Sequence, residues 1–128
     1  MNPRPADYET VRIEVVQLSV LVRVGDRLGG RPLYCEIIDR ARDAGFGGAT
    51  AVRGLTGFGA AGKLRSAGLA GSRGSEPVLI EITDDAAKIY AFLPVLDQLI
   101  GSGLAVLKPV TVTARRAVAP GITATAAQ

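Results

Sequence analysis

Gly47-Gly48-Ala49-Thr50-Ala51-Val52-Arg53-Gly54-Leu55-Thr56-Gly57-Phe58-Gly59 is the stretch on which the fold of this chain turns. It opens as a strand. Ala49, Ala51 and Leu55 alternate with Thr50, Val52 and Thr56, which suits a pleated strand with two unlike faces. It closes as a glycine-rich loop. From Gly54 to Ser75 there are seven glycines, three basic residues (Lys63, Arg65 and Arg73) and no acid. A positively charged loop between two strands is a common carrier of function, so binding is expected there.

Outward from that stretch the chain alternates strand and helix. On the N-terminal side, Val11 to Val24 is rich in β-branched residues and Leu and reads as a strand, best over Gln17 to Val24. Gly25-Asp26 opens a connection that runs through Gly29-Gly30. Pro32 suits the first position of a helix, where its missing N–H costs nothing. Leu33, Tyr34, Ile37, Ile38, Ala41 and Ala44 recur at helical spacing, Glu36, Asp39, Arg40, Arg42 and Asp43 take the other face, and Gly45 stops the helix. On the C-terminal side, Val78 to Thr83 reads as a buried strand. Asp84 is the expected N-cap of a second helix reaching about Ile100, with Pro94 predicting a kink or restart. Leu104 to Thr113 is the last strand, and Pro109 argues for an edge or a bulge.

This order predicts an α+β, ferredoxin-like βαββαβ domain over residues 11–113. The antiparallel sheet would carry both helices on one face and the long flexible loop between its second and third strands. Residues 1–10 and 114–128 read as a flexible lead-in and a disordered tail. The helix-free face, rich in Val, Ile and Leu, would need a second subunit as cover.

Composition narrows the chemistry. The chain has 128 residues, 48% of them hydrophobic, enough for one domain with a real core. It has no His and a single Cys, Cys35. Those counts argue against most zinc sites, His-based acid–base chemistry, Ser-His-Asp catalysis and an internal disulfide. The net charge of +3 permits an anionic partner. No cluster of Lys and Arg interleaved with aromatics marks a nucleic-acid platform. No apolar run reaches the ~18 residues of a membrane span, and the N-terminus lacks a signal-peptide pattern, so a soluble cytoplasmic protein is expected.

Two phosphate motifs come close and fail. Gly57-Phe58-Gly59-Ala60-Ala61-Gly62 matches G-x-G-x-x-G after a strand, but Gly68, Gly71 and Gly74 leave no helix to follow it. Gly62-Lys63 stands as in a P-loop, but Leu64 takes the place of the metal-holding Ser or Thr. A loop of free N–H groups with Lys63 and Arg65 can still wrap an anion. Arg53, inside the strand, is either a charge guarding a sheet edge or the fixed arm of an anion site. Asp26 and Arg31 read as solvated loop charges, and Cys35 as a small helix residue.

Three segments carry a resemblance: Gly29 to Tyr34, Ala41 to Gly59, and Phe92 to Asp97. Over roughly Leu18 to Val112 the chain resembles a PII-like family of small uncharacterised bacterial proteins, a domain-of-unknown-function branch beside the PII signalling proteins. The resemblance implies a homotrimer that binds adenine nucleotide (ATP, ADP or AMP) in clefts between subunits. The loop after the second strand, called the T-loop in PII proteins, would report ligand state to a partner such as a membrane transporter or channel. The phosphate-holding segment that PII proteins carry after the second helix corresponds here to Gly101-Ser102-Gly103-Leu104, which has no basic residue. The ligand-binding set expected from the strand and loop is Arg53, Gly57, Gly59, Lys63 and Arg65, acting on a small anionic ligand without catalysis or metal. A weak nucleotide hydrolase and a ligand-free structural trimer are the alternatives.

Overall fold

The computed structural model describes residues 2–58, 64–66, 74–101 and 104–118. β1 (Tyr8–Arg23) is the long inner strand of the sheet, and it alternates strictly between Val16 and Val22. Leu18, Val20 and Val22 point to one face and are buried there. A tight hairpin follows, β2 (Arg27–Leu28) against β3 (Arg31–Pro32). Its two central residues, Gly29 at φ 56° and Gly30 at φ 84°, both need the left-handed region that glycine enters without strain.

α1 (Leu33–Asp43) starts one residue later than the sequence suggests. Pro32 is its N-cap, because its backbone is still extended and paired in the hairpin. Leu33, Ile37 and Ala41 form the buried stripe. Gly45, at φ 84°, turns the chain into β4 (Ala49–Arg53).

Between β4 and β7 the chain is not uniformly loop. β5 (Thr56–Phe58) pairs antiparallel with β6 (Leu64–Ser66), Gly57 standing opposite Arg65. Local pairing thus overrides glycine content at these six residues. The rest of the loop expected to be flexible falls largely on residues outside those described. β7 (Pro77–Asp84) is the second inner strand, with Val78, Ile80 and Ile82 buried.

α2 (Ala86–Leu99) is one helix through Pro94. The predicted restart does not occur, since Ile89, Phe92, Leu96 and Leu99 are buried on both sides of the proline and packing holds them in one frame. Its N-cap is Asp85, not Asp84, and no side-chain capping bond forms. The Asp84 side chain is engaged elsewhere, as described below.

β8 (Leu104–Ala117) closes the sheet, whose order is β4-β7-β1-β8 with every neighbouring pair antiparallel. Pro109 lies opposite Val16 in an unbroken register, so the edge reading holds and no bulge is needed. An edge strand donates to one neighbour only, which tolerates the missing N–H.

The strands run past the boundaries drawn from sequence. β1 begins at Tyr8 and β8 ends at Ala117, and their outer halves pair as a two-stranded ribbon from Tyr8↔Ala117 to Val15↔Val110. Cross-strand polar contacts fasten it: Glu9 to Arg116 at 3.1 Å, and the Thr111 hydroxyl donating to Glu14 at 2.7 Å. Those partners lie about a hundred residues apart, out of reach of any local pattern.

Both helices cover one face of the sheet. Leu18, Val20, Val22, Val78, Ile80 and Ile82 join Ile37, Ala41, Ile89, Phe92 and Leu96 in a single cluster. A fully buried side chain of this kind contributes roughly 1.5–3 kcal/mol, so this layer dominates stability. The opposite face carries the alternate residues and no helix. Gln17, Ser19 and Leu21 of β1 stand there with Leu79, Glu81 and Thr83 of β7, and Val52, Leu104 and Val106 are exposed on it. Among the described residues no helix is long and apolar enough to cross a membrane.

Candidate functional site

Three segments meet where the 54–75 segment leaves the sheet and returns. They are the end of β1, the end of β4 and the start of β7. The Val24 amide donates to the Glu76 carbonyl at 2.9 Å, and the Gly25 amide to the Gly74 carbonyl at 2.7 Å. The Gly54 amide donates to the Pro77 carbonyl at 2.7 Å. Close approach makes glycine necessary at this base. A Cβ on Gly25 would lie 2.7 Å from the Gly74 carbonyl oxygen, and one on Gly54 would lie 2.8 Å from Cγ of Pro77. Gly74 itself sits at φ 78°.

Arg53 is the last residue of β4, an edge strand, so the edge-guard reading is met in position. It also sits at the mouth of the segment. Its side chain is 67% exposed and meets Glu76 at 3.5 Å. The Glu76 side chain is only 13% exposed, and its second oxygen, Oε2, is buried with no hydrogen-bond partner among the described residues.

Of the expected ligand-binding residues, the structure places Arg53 at this base. It pairs Gly57 with Arg65 across β5 and β6. Gly57 lies near Pro77, since a Cβ built on it would stand 3.8 Å from Cγ of that proline. Gly59 and Lys63 lie outside the described residues, as does the side chain of Arg65. Glu76 was missed by sequence reasoning. The available signal was that it is the acid bordering a stretch that contains none.

The other charged candidates are structural. The Asp26 carboxylate accepts from the Arg23 amide and from its Nε, both at 2.9 Å, closing the turn after β1. Arg31 forks to Glu36 and Asp39, at 2.7 Å each, and Arg40 adds to Glu36 at 3.1 Å. The hydrogen bond to Arg31 holds the Asp39 carboxyl below the ordinary value. Cys35 is a half-buried free thiol.

Asp84 ties α2 to the entry of β4. Its carboxylate accepts from the Asp85 amide at 2.7 Å and the Gly47 amide at 3.3 Å, and Lys88 stands 3.3 Å away. Lys88 also donates to the Gly45 carbonyl at 2.8 Å and lies 5.4 Å from the centre of the Phe46 ring. Burial pushes the Asp84 carboxyl up, but these amides and the ammonium outweigh it and leave it below its ordinary value.

On the helix-free face a shallow cavity of about 550 Å³ is lined by Gln17, Thr50, Val52, Glu81 and Thr83 with Gly48 and Ala49. Gln17 donates to Thr83 there at 3.4 Å. With Glu81 in its wall and no cation among its lining residues, this cavity suits an anion poorly. The loop base, by contrast, carries an exposed guanidinium, that of Arg53. Among the described residues no three His, Cys, Asp or Glu side chains gather to hold a metal.

Comparison with known proteins places these features in context. The family whose model matches residues 15–112 is DUF190, described as "Uncharacterized ACR". A UPF0166 protein of Aquifex aeolicus (strain VF5) is 34% identical over 76 residues, covering 59% of this chain and 72% of that protein. Among solved structures, a nitrogen regulatory PII-like protein, CPII, from Thiomonas intermedia K12, bound to ADP, AMP and bicarbonate, superposes with a TM-score of 0.55 at 17% identity. It covers 79% of this chain and 90% of that one. A putative PII-like signalling protein from Thermus thermophilus gives a TM-score of 0.55 at 10% identity, covering 81% and 92%. At these identities the likeness is one of fold, and it agrees with the ferredoxin-like α+β arrangement expected from sequence.

Proposed function

This chain belongs to the DUF190 family and has the PII-like fold, and from that premise we propose that it is a PII-like regulatory protein whose loop base binds a small anionic ligand, an adenine nucleotide by preference. The observation that carries the reading is the placement of Arg53. Its Cα is fixed by the sheet, its guanidinium is exposed, and it stands where a glycine-rich segment with Lys63 and Arg65 begins. A placed guanidinium loses less freedom on binding phosphate than a Lys on a glycine-rich segment. The ADP, AMP and bicarbonate held by the Thiomonas protein support the same ligand class. Gly57 and Gly59 would assist with backbone N–H groups, and Lys63 and Arg65 would face the phosphates.

In this reading the exposed helix-free face is covered by further copies, in a homotrimer. Ligand shifts the population of conformations of the 54–75 segment, and a partner such as a membrane transporter or channel reads the change. The chain acts as a binding protein rather than an enzyme.

Calorimetric titration with ATP, ADP, AMP and bicarbonate tests the proposal. At least one adenine nucleotide should bind, and Arg53→Ala should weaken it by about 1.5–2 kcal/mol. That is the low end for a hydrogen bond to a charged group, because the Glu76 contact is given up on binding. Lys63→Ala should cost less, about 0.5–1 kcal/mol, with an effect that fades in salt. Absence of binding by any nucleotide, or an unchanged affinity in Arg53→Ala, overturns the assignment.

A further inference from the structure

Arg53 is not waiting free for a ligand. Its guanidinium meets the Glu76 carboxylate at 3.5 Å. The two members of this pair differ in how they are held. Arg53 has a long side chain, 67% exposed, that can swing without disturbing the strand. Glu76 cannot follow it. Its carbonyl accepts from Val24, the next residue's carbonyl accepts from Gly54, and Pro77 restricts the backbone beside it. Its side chain is mostly buried, and among the described residues Oε2 has no hydrogen-bond partner. When Arg53 leaves, a partly buried carboxylate loses its cation, and that penalty must be met by whatever draws the arginine away.

We propose that Glu76 is an internal competitor for Arg53, a built-in anion that an incoming ligand must displace, and that it thereby sets the affinity of the site. This rests on the reading of Arg53 as the ligand's anchor. Glu76 does not touch the ligand in this scheme. It holds the guanidinium in the ligand-free state and reduces the fraction of molecules competent to bind. Removing its charge frees the guanidinium. The gain applies equally to every anion that uses Arg53 and vanishes where Arg53 is absent.

Calorimetry with ATP on wild type, Glu76→Gln, Arg53→Ala and the double variant tests this, with thermal melts confirming that each is folded. Glu76→Gln should tighten ATP by about 2- to 5-fold, the effect of removing a competing, partly exposed ion pair. In the Arg53→Ala background the same change should give no gain. Loss of affinity in Arg53→Ala with no gain, or a further loss, in Glu76→Gln overturns the competition while leaving Arg53 as anchor. Equal affinity in wild type and Arg53→Ala overturns the anchor itself. A measurement on the unaltered chain guards against a misfolded variant. The carboxyl carbon-13 resonance of Glu76 should shift as ATP is added, and a resonance that stays in place at saturating ATP overturns the proposal.

Discussion

Asp84 shows how far a side chain's role departs from its local prospects. Its position before α2 suits a cap, yet its carboxylate bridges two elements by accepting from Asp85 and Gly47 with Lys88 alongside. The lowered pKa of this carboxyl means that the folded state binds its proton more weakly than the unfolded state does. Its contribution is therefore present above the unfolded value of about 3.8 and is lost as pH falls through the depressed folded value. Asp84→Asn should lower stability by about 1–2 kcal/mol near neutrality. In denaturant melts the gap between variant and wild type should close as the pH is taken below the ordinary carboxylate range. A gap that stays constant to low pH would show that the carboxylate's charge is not what matters. Gly25 is a second such residue. Its Cβ would meet the backbone oxygen of Gly74, which cannot rotate away, so Gly25→Ala should cost about 1–3 kcal/mol, read in the same melts.

Among the elements, α2 carries a visible local conflict. Pro94 cannot donate, so the Tyr90 carbonyl lacks its usual helical partner, and the buried residues on either side hold the helix continuous. Pro94 is exposed, so nothing in the core depends on its ring. Pro94→Ala should stabilise the fold by about 2 kcal/mol, the helix penalty of proline less the entropy it removes from the unfolded chain. Thermal melts decide it, and destabilisation would mean that the ring packs usefully in the assembled protein. The β5–β6 hairpin makes the converse point. Seven glycines argue for an unstructured segment, yet Thr56–Phe58 and Leu64–Ser66 still pair, because a ladder needs only two short extended pieces in register.

For the molecule as a whole, the decisive asymmetry is between the two faces of the sheet. One is sealed by α1 and α2. The other leaves Val52 53% exposed, Leu104 65% and Val106 46%. In the proposed trimer these side chains, at the two edges of the sheet, are the ones the neighbouring chains cover. Light scattering should find an oligomer, three chains in the proposed assembly, and Val106→Asp should drive it towards monomer by placing a charge on the exposed apolar face. A wild-type monomer at micromolar concentration would sink the trimer.

Much of this could be read from the chain alone. Helical spacing in Leu33 to Ala44 and in Ile89 to Ile100, alternation in Gln17 to Val24, and the stops at Gly45 and Gly101 determined the order of the elements and hence the ferredoxin-like fold. These signals are local, carried by neighbours a few residues apart, and so they survive without any knowledge of partners. The glycine-rich basic segment and Arg53 were legible for the same reason. The tertiary structure alone decided that Glu76 meets Arg53 across 23 residues, that Asp84 clamps Gly47, and that β1 pairs with β8 from Tyr8 to Leu21. Each depends on two distant segments arriving in one register, and the free energy of that meeting lies in contacts that neither segment contains by itself.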